Sequence, residues 1–298
     1  MKVMEFYKKY GIYCILIAIF LFFSITAKNF LSLDNLLNVL RQVSMFGIVV
    51  VGVTFVMICG GAELSVGGQM AVSGMLTGIL MAKLGVPILP ASLIGVLACT
   101  LFGALNGFIA VKLNMFSLIV TLGSMLILQG LAYVITGGYP VFGLPEAFTF
   151  LGQGYVWIIP VPVIIFAVIG FIAWFVLKKT YFGRYVYAIG GNTEAARLGG
   201  INIEKIRVIV FALSGFVTGI ASLIMLSRTN SAQPSAGASY PFDCMTAAVL
   251  GGISFAGGEG SIGGSVVGVL IIGILNNGLI LLGVDSNWQG VIKGMVLI

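Results

Sequence analysis

The sequence predicts an all-α polytopic membrane protein of about ten transmembrane helices, and three observations carry that prediction. Hydrophobic residues make up 59% of the chain and charged residues only 8%, with a mean hydropathy of +1.15. A soluble domain typically carries about 25% charged residues, because its surface must stay hydrated. Apolar stretches near the roughly 20 residues that cross a hydrocarbon core recur along the chain. Glycine is abundant, at 42 residues, and small residues let transmembrane helices approach closely. The net charge of +6 is too sparse and scattered for nucleic-acid binding and reads as a signal of bilayer orientation. Histidine is absent, which removes the usual proton shuttle and the commonest metal ligand. The four cysteines (Cys14, Cys59, Cys99, Cys244) sit in or beside apolar stretches without paired spacing and read as buried small hydrophobes.

The spans follow in order. Gly11 to Ala27 comes after Lys2, Lys8 and Lys9 and resembles a signal peptide, but no small-x-small cleavage site follows Phe22 and Phe23, so it is read as a retained helix. Leu33–Arg41, polar on one side, is expected to lie at the membrane interface. Val43–Gly60, Leu64–Ala82, Pro87–Val111, Ser117–Thr136 and Val156–Leu177 are predicted spans, as are Val208–Ser227 and Ile262–Leu282. Asp243–Gly257 is short and glycine-broken, so it reads as a half-helix packed inside the bundle. A last segment begins at Trp288 and reaches Ile298 with no polar ending, as a helix interrupted by the end of the sequence would. The whole of 1–298 is read as one transmembrane domain.

Charge orients these spans. With the N-terminus in the cytoplasm, the inner side receives Lys2, Lys8, Lys9, Lys112, Lys178, Lys179, Arg184, Arg197, Lys205 and Arg207. The outer side receives only Lys28, Arg41, Lys83 and Arg228. That asymmetry is what the positive-inside rule expects, and the reversed topology would invert it.

Three features stand out as candidates for function. The longest hydrophilic stretch, about 178–207, is predicted to be cytoplasmic, with a capped short helix at Asn192–Leu198 between two diglycines. A plain connector is the bland reading. Connections between helices are usually short, so a docking element formed by Glu194, Ala195, Ala196, Arg197 and Leu198 is preferred, with Glu194 and Arg197 placed on one face by their spacing of three. The second feature is the glycine-bracketed turn Gly60–Gly68, which holds Glu63 and Ser65. Acids near membrane depth are functional candidates; equally, Glu63 at the interface would cap the following helix, where a carboxylate is stabilised. The third is Met245–Gly264, followed by Asn276 and Asn277. Broken apolar segments place backbone dipoles near transport pathways, and two adjacent amides inside a span need a polar partner. Asp243, Asn276, Asn277, Glu63 and Ser65 are therefore the candidate pathway residues, although helix–helix hydrogen bonding accounts for either asparagine taken singly. The GxxxG pairs Gly103/Gly107, Gly215/Gly219 and Gly264/Gly268 read as tight packing.

These 298 residues hold no Walker A motif, metal-binding motif or Ser/His/Asp set, so no catalytic, metal or cofactor role is expected. Two transport mechanisms remain: a pore driven by separate ATPases, and an ion-coupled secondary carrier acting alone. The carrier would need internal repeats and a charged midplane site, and neither is evident.

From about Phe30 onward the sequence resembles the permease subunits of ribose-type bacterial ABC importers for monosaccharides. The resemblance rests on GGAELSVGG, GRYVYAIGGNTEAARLGGI, SAQPSAG, and AAVLGGISFAGGEGSIGG followed by LNNGLILLGV, in that order. It implies the importer permease fold of ten helices, a pathway at the interface with a second permease subunit, cytoplasmic ABC ATPase subunits, and an extracytoplasmic sugar-binding protein. It also implies that Glu194–Leu198 is the coupling helix. The sequence departs from the family pattern at Glu63, usually aspartate, at Gly199, usually serine, and at Pro241-Phe242, usually Glu-Leu.

Overall fold

A computed structural model describes residues 2–297, and side-chain surroundings for 11–285 and 287–295. Its helices are α1 (Lys2–Thr26), α2 (Leu33–Ile58), α3 (Val66–Ala82), α4 (Ile88–Lys112), α5 (Ser117–Thr136), α6 (Glu146–Gln153), α7 (Val161–Lys179), α8 (Tyr181–Gly191), α9 (Thr193–Leu198), α10 (Ile203–Thr229), α11 (Tyr240–Leu250), α12 (Ile262–Leu281) and α13 (Ser286–Leu297). A two-residue hairpin, β1 (Tyr155–Val156) against β2 (Ile159–Pro160), is the sheet described. Six helices (α2, α4, α5, α7, α10, α12) are long and apolar enough to cross a membrane, while α3 and the apolar Gly11–Thr26 part of α1 are shorter.

Three expectations about the elements are corrected. Leu33–Arg41 is not a separate element, because it is the first third of α2. The Ser32 side chain caps that helix by accepting from the Asn35 amide, and Asp34 lies in its first turn, where a carboxylate is favourable. Its polar residues bond to neighbouring elements: Arg41 donates to the Gln153 carbonyl, and Arg228 donates to the Asn38 side chain. The span expected from Val156 begins instead at Val161, because Trp157 at φ 57° turns the hairpin, Pro160 holds the extended N-cap position and Pro162 lies in the helix's first turn. Asp243–Gly257 is helical only to Leu250, and the helix begins earlier, at Tyr240; Gly252, Gly257, Gly258 and Gly260 then adopt positive φ and the chain runs unwound to Ser261.

The bundle is built around α2 and α10. From Val43 to Cys59, α2 is buried without interruption. α10 packs on α4 through the two GxxxG pairs, which face each other. A Cβ on Gly103 would strike the Phe211 carbonyl, one on Gly215 the Cys99 carbonyl, and one on Gly219 would lie 2.8 Å from Val96 Cα. Gly264 and Gly268 likewise seat α12 on Gly251 and Ala247 of the α11 end. Cys59, Cys99 and Cys244 are buried as expected, whereas Cys14 is exposed on α1.

Candidate functional site

The predicted site residues separate into three places. The first is a cavity of about 190 Å³ where α2, α11, α12 and α13 converge, lined by Gln42, Tyr240, Asp243, Asn276, Gln289 and Lys293 among others. Lys293 Nζ lies 3.0 Å from Asp243 Oδ2, with side-chain exposures of 22% and 14%. Asn276 Oδ1 is buried and without a hydrogen-bond partner. The Tyr240 ring meets Phe46 edge to face at 5.6 Å. Amides, a carboxylate, an ammonium group and aromatic rings around one space form a surface that offers both donors and acceptors to a neutral polyol, with ring faces for its C–H groups.

Asn277 is not part of this lining. Neighbouring helix positions point about 100° apart, and the Asn277 amide turns to α2. There it exchanges both hydrogen bonds with Asn35, at 3.0 and 2.9 Å. Asn277 is buried and Asn35 half-buried, and their reciprocal donation satisfies one donor and one acceptor on each side. Asn277 is thus a fastener between α12 and α2.

Glu63 and Ser65 form the second place, in the turn between α2 and α3, and neither lines the cavity. Both are fully buried. Glu63 Oε1 accepts from the Ser65 amide at 2.7 Å and the Ser65 hydroxyl at 2.6 Å. Ser65 Oγ in turn accepts from Gln69 Nε2 and Asn106 Nδ2 at 2.7 and 2.8 Å, and Ser124 donates to Asn106 Oδ1. The capping reading of Glu63 fits the amide it holds at the start of α3, but not the expected interfacial exposure. Glu63 lies in the turn between α2 and α3, outside both helices, and burial pushes its carboxyl up to about 7 against the pull of the Ser65 hydrogen bonds. Glu63 Oε2 and Gln69 Oε1 are without hydrogen-bond partners, and no cation pairs with Glu63 among the described residues.

The third place is the hydrophilic segment. It contains two helices rather than one, α8 and α9, divided at Asn192, whose side chain caps α9 by accepting from the Ala195 amide at 2.9 Å. Glu194 and Arg197 form the pair expected from their spacing, at 3.2 Å. Leu198 is 89% exposed, whereas Ala196 is 6% exposed and faces the chain's own core rather than outward. Ala196 therefore seats α9, and the outward surface consists of Glu194, Ala195, Arg197 and Leu198. Behind the helix, Arg207 at the start of α10 donates to Thr193 Oγ1 at 3.3 Å.

Sequence reading missed Lys293, Gln42, Gln289 and Tyr240 at the cavity, and Gln69 and Asn106 beside Glu63. Lys293 carried a usable signal, because a lone lysine in an apolar segment marks a candidate partner for an intramembrane acid. The others are polar residues whose convergence depends on which helices are neighbours.

Residues 35–298 match the family model described as the permease component of the branched-chain amino acid transport system. The ribose import permease protein of Haemophilus influenzae is 43% identical over 279 residues, covering 92% of this chain and 86% of that protein. Its Bacillus subtilis counterpart is 42% identical over 293 residues, covering 98% and 91%. The D-allose permease protein of Escherichia coli is 36% identical over 294 residues, covering 98% and 90%. No solved structure matches the chain. A bundle of long apolar helices, a family match over 35–298 and identities of this size over nearly full lengths have one reading: the chain belongs to the family of bacterial ABC-importer permease subunits that serve sugars of the ribose, xylose and allose type.

Proposed function

We propose that this permease moves a neutral monosaccharide of the ribose class inward across the cell membrane, powered by separate ABC ATPase subunits that dock on α9. The substrate arrives from an extracytoplasmic sugar-binding protein, and a second permease subunit, identical or homologous, completes the pathway. The N-terminus, α8 and α9 face the cytoplasm, in keeping with the basic residues gathered at that end. Asn276 and Asp243 belong to the polar outer half of the path, where hydrogen bonds rather than counter-ions hold the sugar. Glu63 and Ser65 contribute at the inner end by fixing the turn that starts α3.

The observation that carries this reading is α9 itself. It is a six-residue helix, capped by Asn192, with an internal ion pair and a leucine 89% exposed at its end. An exposed leucine on an otherwise polar segment is suited to an apolar pocket on a partner, where its apolar surface leaves water. Leu198→Asp and Arg197→Glu are expected to abolish uptake and to weaken co-purification with the ATPase while membrane insertion is retained. Full transport with full ATPase binding in both variants would reduce α9 to a connector. Orientation is tested on a Cys14→Ser background: a membrane-impermeant thiol reagent added outside is expected to label Trp157→Cys, on the hairpin, and to spare Glu194→Cys.

A further inference from the structure

Three glycine pairs far apart in the sequence meet at one point of the fold. Gly60-Gly61 follows α2, Gly190-Gly191 ends α8 immediately before α9, and Gly257-Gly258 lies in the unwound segment between α11 and α12. The Gly258 amide donates to the Ile58 carbonyl at 2.8 Å. A Cβ on Gly190 would overlap that same carbonyl and lie 2.5 Å from Gly258 N. One on Gly257 would lie 2.7 Å from Gly60 Cα, and one on Gly258 would lie 2.6 Å from Gly191 Cα. Gly60, Gly257 and Gly258 also hold φ of 79°, 86° and 75°, a region that side-chain-bearing residues rarely enter. Alongside, Tyr187 of α8 donates its hydroxyl to the Gly260 carbonyl at 2.8 Å.

Contacts between side chains absorb a displacement by changing rotamers, whereas bare backbones in contact have no such slack. A shift of α8 therefore passes directly into the end of α2 and the segment leading back to α11, whose first turn carries Asp243 at the cavity. We propose that this glycine junction locks α8, the C-terminal end of α2 and the α11–α12 segment into one rigid body. Gly190, Gly258 and Tyr187 are then positioning residues that relay motion from α9 to the half-helix at the sugar path. The proposal rests on α9 being the ATPase docking element, and its test is arranged to separate the two.

The test uses the assembled importer with its ATPase and binding protein, on the Cys14→Ser background. Nitroxide labels at Tyr185→Cys on α8 and Glu259→Cys in the α11–α12 segment report the distance across the junction without ATP and with ATP trapped. A second pair, Tyr185→Cys with Trp157→Cys, reports whether the importer changes state. The expected result is an unchanged junction distance while the second distance shifts. Gly190→Ala is expected to lose uptake with ATPase co-purification intact, and Tyr187→Phe, which removes one hydrogen bond and little volume, is expected to lower sugar moved per ATP hydrolysed. A junction distance that changes with nucleotide, or Gly190→Ala and Tyr187→Phe variants with normal uptake per ATP, would overturn the relay. Neither result affects α9 docking, which fails only if the Leu198 and Arg197 variants keep ATPase binding and transport. If Gly190→Ala does not insert, the label distances and the Tyr187→Phe stoichiometry decide.

Discussion

Removing either partner of the Asp243–Lys293 pair should destabilise the protein more than removing both. Opposite unit charges 3.0 Å apart attract by roughly 5 kcal/mol at an effective dielectric constant of about 20. Side-chain exposures of 22% and 14% admit some water, so the attraction is partly screened. A coupling of about 2–3 kcal/mol is expected, at the upper end for residues in contact. Asp243→Asn leaves the Lys293 ammonium largely buried with no counter-charge, and Lys293→Met leaves the Asp243 carboxylate in the same position. An uncompensated buried charge is the main source of such losses. The double variant removes both charges and restores most of the stability. Thermal unfolding of the four proteins in detergent measures the cycle. Additive losses, with coupling below about 0.5 kcal/mol, would refute the reasoning and leave the pair as two independently solvated groups. Uptake measured on the same set separates roles: a double variant that is stable but slow in transport keeps the charges in the pathway, whereas one that is stable and fully active confines them to joining α11 and α13.

Two further predictions concern buried polar groups. Because burial raises the Glu63 carboxyl from 4.5 to about 7, the folded protein holds that proton more tightly than the unfolded chain. The stability this contributes is full below about pH 4.5 and is lost as pH rises towards about 7. Glu63→Gln should therefore melt progressively higher than the unsubstituted protein as pH is raised from about 5 to 8, and a pH-independent difference would sink the argument. Asn277→Leu removes the partner of the half-buried Asn35 side-chain oxygen, while the Asn35 amide keeps its bond to the Phe30 carbonyl, and should cost about 1 kcal/mol; equal melting temperatures for this variant and the parent protein would remove the fastener role.

The helical frame was legible because hydropathy responds to lipid, and most of this chain faces lipid or packed helices. Reading failed where polarity had another cause. Leu33–Arg41 reads as separate from the following span because Asn35, Asn38 and Arg41 are polar, yet it is continuous with α2 and each of the three residues bonds to another element. Hydropathy also cannot separate a strand from the start of a helix over two residues, so Val156 was absorbed into a span that begins at Val161. The Glu194–Arg197 pair was predictable because a spacing of three is a local property of any helix. The inward turn of Ala196 was not, because it depends on what lies beneath α9.

The same distinction separates Asn276 from Asn277. As residue types they are equivalent, and their adjacency in an apolar helix signals only that polar partners must exist. One residue of helical rotation sends Asn277 to a reciprocal partner and leaves the Asn276 carbonyl oxygen facing a cavity with no partner of its own. Polar groups satisfied by the protein tie helices together, while groups left with spare hydrogen-bonding capacity beside a cavity are free to engage a passing solute. Applied across the chain, that criterion assigns Asn35, Asn277 and Ser65 to structure and turns attention to Asn276 and the residues around it. It also explains why glycine spacing was a poor guide alone: Gly103 and Gly215 meet as sequence spacing suggests, whereas Gly60, Gly190 and Gly257 meet only because α2, α8 and the segment after α11 end at the same level of the bundle.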